Sequence, residues 1–515
     1  MQRDCFGKMR LPRYVRNDNL TNQQQQPDRL QRILEIIPGG VSWFLILFPV
    51  WGSFLIPELV AYYIIAFDVY WLYRSASMAI LAIISYFKIK AAQNYNWMID
   101  VKGFGDWKKL HHIVIIPSYK ESLVILRQTL NALKRQTFPK KKISIVLAFE
   151  KREGEIIYEK AKKLKREYKG IFGNLLTTFH PDLPNEVKGK SSNTAWAARQ
   201  AKKEIVDKNK LNIDYVTITS EDADARFNEE YFACLSYKFL DNPNRYHLFF
   251  QPAILYYNNI WKTPAPVRVF STTASIVQIS LLNRRDRLIN FSTYSASLKL
   301  IDNIGYWDTD VIPEDYRIFF KAYFKTGGKV EVEPIFLPVT AHAALSTTFW
   351  KTMKNQYEQV KRWAWGVSDD AYIIKEWLKT PSVPFWDKTI RVFKVIEDHF
   401  LWPVNWFAVT LGATLPPLLN KGFARTIIGK RLPQTSSAIL TIALVSMIIM
   451  IFVDYKQRPK DESVTLRKKI FGILEFILLP VVGFFFSALP GIDAHTRLML
   501  GRYIDYRVTE KGDEE

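Results

Sequence analysis

Ser220-Glu221-Asp222-Ala223-Asp224 sets two aspartates two positions apart, directly after a short β-branched run. On an extended turn, both carboxylates can face one divalent cation, directly or through water. A hard ion such as Mg²⁺ or Mn²⁺ takes a few protein oxygens and completes its shell with phosphate oxygens and water. Such an ion also neutralises charge on a departing phosphate. Alone, the pattern is weak, since acidic turns of this kind are common. A second acidic feature, Ile312-Pro313-Glu314-Asp315-Tyr316, opens a helical stretch that ends near Lys325. Proline and acids in a first turn complement the helix dipole, and Asp315 equally suits a general base that removes a proton from an attacking hydroxyl. A third feature, Gln359-Val360-Lys361-Arg362-Trp363, lies in the amphipathic run Trp350 to Trp365. Positions i, i+3 and i+4 share one helical face, which gathers an amide, a guanidinium and an indole. That set suits a sugar stacked on the indole and a phosphate held by the guanidinium fork. It also suits an interfacial helix meeting lipid headgroups.

Three softer features accompany these. Glu121, in Pro117-Ser-Tyr-Lys-Glu121, can accept hydrogen bonds from a base or ribose, or cap the following helix. Gly189-Lys190 offers flexible backbone and a cation for phosphate, but lacks the spacing of a P-loop, so ATPase chemistry is not supported. His342 reads as structural, and the seven histidines show no HExxH spacing.

The elements that must position these groups alternate. His112–Pro117, Ile143–Phe149 and Tyr215–Thr219 read as strands, and Ser122–Gln136, Glu155–Tyr168 and Ser192–Lys203 as helices. Such alternation predicts an α/β domain built on a parallel sheet with helices on both faces. Ligands of such sheets bind at the carboxyl ends of the strands, where the acidic features fall.

The 515 residues include 48% hydrophobic ones, unevenly spread. Residues 39–57, 400–420 and 432–453 contain no charged side chain, and each is long enough to cross a bilayer core of roughly 30 Å. This pattern argues against both a wholly soluble protein and a wholly embedded transporter. Segment 470–489 is a weaker span because of Glu475 and Pro480. The net charge is +21, compatible with nucleic acid but, beside membrane segments, better explained by anionic lipid or anionic donors. Cys5 and Cys234 build neither a disulfide framework nor a cysteine zinc site. The polar first 35 residues do not read as a cleavable signal peptide.

The expected organisation is a basic cytosolic tail (1–38), an N-terminal helix pair (39–90) and the α/β domain (105–345). Interfacial helices (346–395), C-terminal transmembrane helices (396–490) and a charged tail (491–515) follow. Seven basic against four acidic side chains in the first 38 residues, and a basic linker at 455–469, place tail and domain in the cytosol. The loop holding Lys421, Arg425, Lys430 and Arg431 then falls outside despite its charge. The path of 470–515 stays open.

Together, Pro-x-Tyr-x-Glu121, Gly189-Lys190, Asp222-x-Asp224, Glu314-Asp315 and Gln359-x-x-Arg362-Trp363 occur in an order that resembles the membrane-bound family 2 glycosyltransferases. That family includes the cellulose, chitin and hyaluronan synthases and the ceramide glucosyltransferase group. The resemblance covers roughly residues 105–370. It implies a GT-A domain flanked by transmembrane helices, an inverting transfer from a nucleotide-diphospho-sugar, and Mg²⁺ or Mn²⁺ as cofactor. Asp222 and Asp224 match the metal and diphosphate site, and Asp315 matches the base of the family's Thr-Glu-Asp motif, written Pro-Glu-Asp here. Gln359, Arg362 and Trp363 match the signature beside the acceptor and diphosphate, Glu314 joins them as a substrate-binding position, and Glu121 and Lys190 match donor-binding positions. Glu150 stands where the family often has an aspartate for the nucleobase, so the base stays open. The implied acceptor is a growing polysaccharide, with a glycolipid-forming single transfer or an inactive scaffold as alternatives. Donor, acceptor and membrane lipids are the implied partners, nucleic acid is not, and accessory subunits stay open. The implied location is a multi-pass protein of the plasma or inner membrane.

Overall fold

The structure, a computed structural model, describes residues 28–459, 464–507 and 509. Most of the expected basic tail, part of the 455–469 linker and the end of the charged tail lie outside the described residues.

An eight-stranded sheet forms the domain: β1 (His111–Ser118), β2 (Ile143–Glu150), β3 (Asn174–His180), β4 (Val216–Ser220), β5 (Arg226–Phe227), β6 (Leu248–Leu255), β7 (Tyr294–Ser297) and β8 (Glu331–Thr340). Their spatial order is β3-β2-β1-β4-β7-β6-β8-β5. Strands β3, β2, β1 and β4 run parallel, as the alternation predicts. The sheet is not parallel throughout, because β7 pairs antiparallel with both β4 and β6. The chain enters β7 from a loop at the carboxyl edge of β4, so it must run back against β4. This re-entry brings residues 288–293 to the site end of the sheet.

Central β1 is almost fully buried because neighbours flank it on both edges, the condition for a continuous apolar run. Its residues alternate between faces, as the two-residue strand period requires. Val114 and Ile116 join the core formed with Leu126, Leu130 and Leu133. Ile113 and Ile115 join the opposite core with Ala195, Ala198 and Phe319. The first of these helices, Leu123–Lys134, starts where Ser122 accepts a hydrogen bond from the Ile125 amide at 3.3 Å, a side-chain N-cap.

Four helical segments are long and apolar enough to cross a membrane: Arg29–Leu55, Pro57–Gln93, Ile427–Gln457 and Arg467–Met499. The expected span at 400–420 is not built as one helix. Phe385–Leu411 is a single helix carrying Glu397 and Asp398, and after it Leu415–Leu419 starts anew. Gly412 marks the break: a Cβ there would lie 2.3 Å from Ile64 Cδ1, and Pro416 and Pro417 follow. The weak segment at 470–489 lies inside Arg467–Met499, whose regular turns are interrupted by a 3₁₀ stretch at Glu475–Leu478 and a π stretch at Phe484–Ala488.

Contacts order these helices. Phe48, Val60, Ile64, Ala413, Phe423 and Leu432 form one cluster around the turn at Ile56, and Asn420 donates to the Ser53 carbonyl at 3.0 Å. At the opposite end, Tyr323 of the domain donates to Asp387 at 2.7 Å and Tyr257 to Asp454 at 2.7 Å. Phe385–Leu411 and Ile427–Gln457 therefore each run between the domain and the far hairpin turn. Arg467–Met499 differs, because both of its ends meet the domain side. Glu475 pairs with Arg268 at 2.8 Å, and Asp493 accepts from Tyr357 at 3.1 Å.

Candidate functional site

The acidic features converge at the carboxyl end of β4. Asp222 follows β4, and its backbone N–H donates to Thr293 Oγ1 at 3.1 Å. Lys190 is the first residue of the helix Lys190–Ala201, and its Nζ lies 2.7 Å from Asp222 Oδ1 and 3.1 Å from Glu314 Oε1. Glu314 and Asp315 open the helix Glu314–Lys325. That placement sets two acids at the partly positive helix N-terminus; Glu314 pairs with Lys190, and Asp315 adds to the field on it.

Electrostatics follow from this crowding. Burial works against the Lys190 ammonium, but Asp222, Glu314 and Asp315 outweigh it and hold the amine well above its ordinary range. Burial alone would raise the Asp222 carboxyl; Lys190 overrides it and the group sits below its usual range. Glu314 is pushed up to about 7 by burial, although Lys190 pulls the other way. Glu221 is fully buried, its two carboxyl oxygens have no hydrogen-bond partner, and burial with Asp222 and Asp224 nearby drives it well above the carboxylate range.

Asp224 is buried, its Oδ2 accepting from the His342 amide at 2.9 Å and its carbonyl accepting from Asn258 at 3.1 Å. His342 thus holds Asp224 in place, consistent with its structural reading. Among the described residues no three His, Cys, Asp or Glu side chains group tightly enough to cage a metal ion. Asp222 and Asp224 supply hard oxygen donors only, which fits Mg²⁺ or Mn²⁺ arriving with phosphates and water as remaining ligands.

Glu150 ends β2 and lines a shallow cleft with Arg152, His180, Glu186 and Lys188. Its carboxylate pairs with Arg152 at 2.5 Å, and burial holds it above its ordinary range against that pairing. Glu121 is buried after β1, where its carbonyl accepts from Lys160 at 2.9 Å. It does not cap the helix Leu123–Lys134; Ser122 does. The helix Phe349–Ala364 carries Gln359, Arg362 and Trp363. Trp363 lies 6.0 Å from Tyr256 and 6.1 Å from Phe270, centroid to centroid.

Three contributors carry no sequence motif. Tyr256 follows β6 and stands within electrostatic reach of Asp222, Asp224, Arg362 and Asp315. Tyr506 belongs to the C-terminal segment, with the Arg362 guanidinium 5.0 Å from its ring centroid. A Cβ added at Gly189 would lie 2.7 Å from Tyr506 Cγ. Tyr503, which donates to Glu35 at 2.7 Å, and Arg507, which donates to Asn355 at 3.3 Å, hold that segment across the site. The third is Ser292, in the loop before β7, whose amide donates to Asp315 Oδ2 at 2.8 Å.

A family model described as glycosyl transferase family group 2 matches residues 217–453. The matched segment includes Asp222, Asp224, Glu314, Asp315, Gln359, Arg362 and Trp363, and on this match the chain is a glycosyltransferase. No curated protein matches the sequence. Among solved structures, the chain is similar to the mannosyltransferase PcManGT from Pyrobaculum calidifontis in complex with GDP-Man and Mn²⁺. That likeness has 12% identity and a TM-score of 0.41, covering 75% of this chain and 99% of that one. It is also similar to residues 1–349 of TarS from S. aureus in complex with UDP-GlcNAc, at 15% identity and a TM-score of 0.37, covering 66% and 91%. GalNAc-T7 with UDP, GalNAc and Mn²⁺ follows at 14% identity and a TM-score of 0.32, covering 56% and 55%.

Proposed function

We propose that the chain is a membrane-bound inverting glycosyltransferase that moves a sugar from a nucleotide-diphospho-sugar to a growing polysaccharide, with export. The observation that supports this reading best is the convergence of Lys190, Asp222, Glu314 and Asp315 at the carboxyl end of β4. One cationic side chain there meets a donor-side carboxylate and the turn that carries the base.

In this reading the domain faces the cytosol. Arg29–Leu55 and Pro57–Gln93 go out and back, Phe385–Leu411 and Ile427–Gln457 do the same, and Arg467–Met499 lies along the domain side. Glu150 faces the nucleobase and Glu121 the nucleoside, with the diphosphate toward Lys190 and Asp222. Asp222 and Asp224 would hold Mg²⁺ or Mn²⁺, which when bound supplies positive charge to the leaving diphosphate. Asp315 takes the proton of an acceptor hydroxyl, and that oxygen bonds to the anomeric carbon from the face opposite the donor phosphate. The sugar–phosphate bond breaks with its electron pair going to the diphosphate, so the configuration inverts. Lys190 and Arg362 offset the departing charge, while Glu314 holds Lys190 and Gln359 and Trp363 orient the acceptor. General-base catalysis supplies about 10²–10⁴-fold.

One observation favours a second reading, a single transfer to a lipid acceptor. A cleft opens between the 281–291 loop and Phe385–Leu411, lined by Arg287, Phe291, Tyr316 and Arg391 among others. Phe291 and Tyr316 are the chain neighbours of Ser292 and Asp315, so a membrane-side acceptor would reach the base there. Products made from a radiolabelled donor in lipid nanodiscs separate the two. A ladder of oligosaccharides supports polymerisation, and one labelled glycolipid replaces it with the second reading.

A further inference from the structure

We infer that Ser292 is a positioning residue that ties the base to the diphosphate-binding carboxylate; this rests on the function proposed above. Three groups of this one residue bond to three site residues. Its amide donates to Asp315 Oδ2 at 2.8 Å, its hydroxyl donates to Asp222 Oδ2 at 2.5 Å, and its carbonyl accepts from Lys190 Nζ at 2.5 Å. Asp315 lies on the helix Glu314–Lys325, Asp222 lies after β4, and Lys190 starts a third element.

Its backbone supports the same role. Ser292 has φ of 57°, the left-handed region that costs a residue with a Cβ free energy unless its surroundings enforce it. Gln251, a fully buried residue of β6, enforces it. Its Nε2 donates to the carbonyls of Phe291 at 3.1 Å and Thr293 at 3.2 Å, and its Oε1 accepts from the Phe291 amide at 3.1 Å. The residues on either side of Ser292 are thus clamped to one rigid strand, and Thr293 Oγ1 fixes the Asp222 amide. Strained backbone held this firmly is characteristic of sites where placement matters more than stability.

The arrangement assigns separate tasks. The Ser292 amide engages one Asp315 oxygen and leaves the other to take the acceptor proton. The hydroxyl fixes one Asp222 oxygen, so the other meets Lys190 and the incoming diphosphate charge. Removing the hydroxyl therefore loosens Asp222 and spares the amide contact to Asp315.

The test uses full-length protein in detergent, with Ser292→Ala, Ser292→Gly and, as a control, Ser295→Ala. Ser295 is a buried hydroxyl three residues on that bonds Thr219 and Tyr231, away from the site. UDP and GDP binding is titrated with and without Mn²⁺, beside donor turnover. Outer partners of such carboxylates change metal affinity or activity by about 10–100-fold. Both Ser292 variants are expected to lose that much Mn²⁺-dependent nucleoside diphosphate affinity. Ser292→Gly is expected to melt no lower than Ser292→Ala, because glycine accepts the left-handed backbone. Ser295→Ala is expected to bind as wild type. Wild-type affinity in both Ser292 variants would overturn the assignment, as would an equal loss in Ser295→Ala. Absence of transfer by wild type with every donor, while Mn²⁺-dependent binding and its loss in the variants persist, would sink the proposed reaction and leave Ser292 as an organiser of the nucleotide site. Wild type that binds neither nucleotide would overturn both.

Discussion

Replacing Lys190 by Met should destabilise the domain in a pH-dependent way. The side chain is 11% exposed and lies 2.7 Å from Asp222 and 3.1 Å from Glu314. Methionine keeps most of the volume and removes the charge, leaving Asp222, Glu314 and Asp315 facing one another. Removing one partner of a buried pair costs about 3–5 kcal/mol. For a domain of this size each kcal/mol moves Tm by about 2–4 °C, giving a fall of roughly 6–20 °C. The pH dependence follows from Glu314, already pushed up to about 7 with Lys190 present. A carboxyl whose folded pKa lies above its unfolded value favours folding while it is protonated, and that contribution is lost as pH rises through the folded value. Without Lys190 the Glu314 carboxyl rises further, so Lys190→Met should lose most at pH 8 and less at pH 6. Thermal melts followed by near-UV circular dichroism at both pH values measure it. A Tm within 2 °C of wild type at pH 8 would refute the reasoning, since the three carboxylates would then not depend on this cation.

Two further predictions concern buried groups. His111 and His112 are lowered by burial to about 4 and about 3, bonded to Ser144 and to Thr217 and Ser236. The unfolded chain protonates both below pH ~6.5, so each should remove about 1.4 kcal/mol of stability per pH unit from there down toward its folded value. Denaturant melts between pH 7 and 5 should show that slope, and His111→Asn should reduce it by one histidine's share; an unchanged slope would count against it. Separately, Gly189→Ala should push Tyr506 off the site, because its Cβ would sit 2.7 Å from the Tyr506 ring. Hydrogen exchange at residues 502–507 should rise in Gly189→Ala, and unaltered exchange would mean the ring does not rest there.

What the sequence revealed follows physical lines. β1, β2 and β4 announced themselves because central strands are apolar on both faces, and the helices between them kept a polar stripe. β7 was invisible, since Tyr294-Ser-Ala-Ser297 holds its place with buried hydroxyls, such as Ser295 bonded to Thr219, rather than with apolar bulk. The antiparallel turn in the sheet was missed with it. Asp222, Asp224, Glu314 and Asp315 stood out only through their order along the chain with Gly189-Lys190 and Gln359-x-x-Arg362-Trp363, since acids are common in turns and at helix starts. Ser292 was not, because its importance lies in a left-handed backbone imposed by Gln251, far back in the chain. Tyr506 was missed for a similar reason: its partners Gly189 and Arg362 are distant in sequence. The apolar block at 400–420 misled because composition does not register the Gly412 break, while 470–489, read as a weak span because of Glu475, lies within Arg467–Met499, where Glu475 pairs with Arg268.

The central claim is that Asp315 activates the acceptor for transfer from a nucleotide-diphospho-sugar. Its most direct test is nucleoside diphosphate release by purified full-length protein and by Asp315→Asn. The panel covers UDP- and GDP-sugars with Mg²⁺ or Mn²⁺, in the presence of membrane lipids and sugar acceptors. The account predicts release with a restricted set of donors, reduced about 10²–10⁴-fold in Asp315→Asn while donor binding is retained. Near-normal release by Asp315→Asn would contradict it.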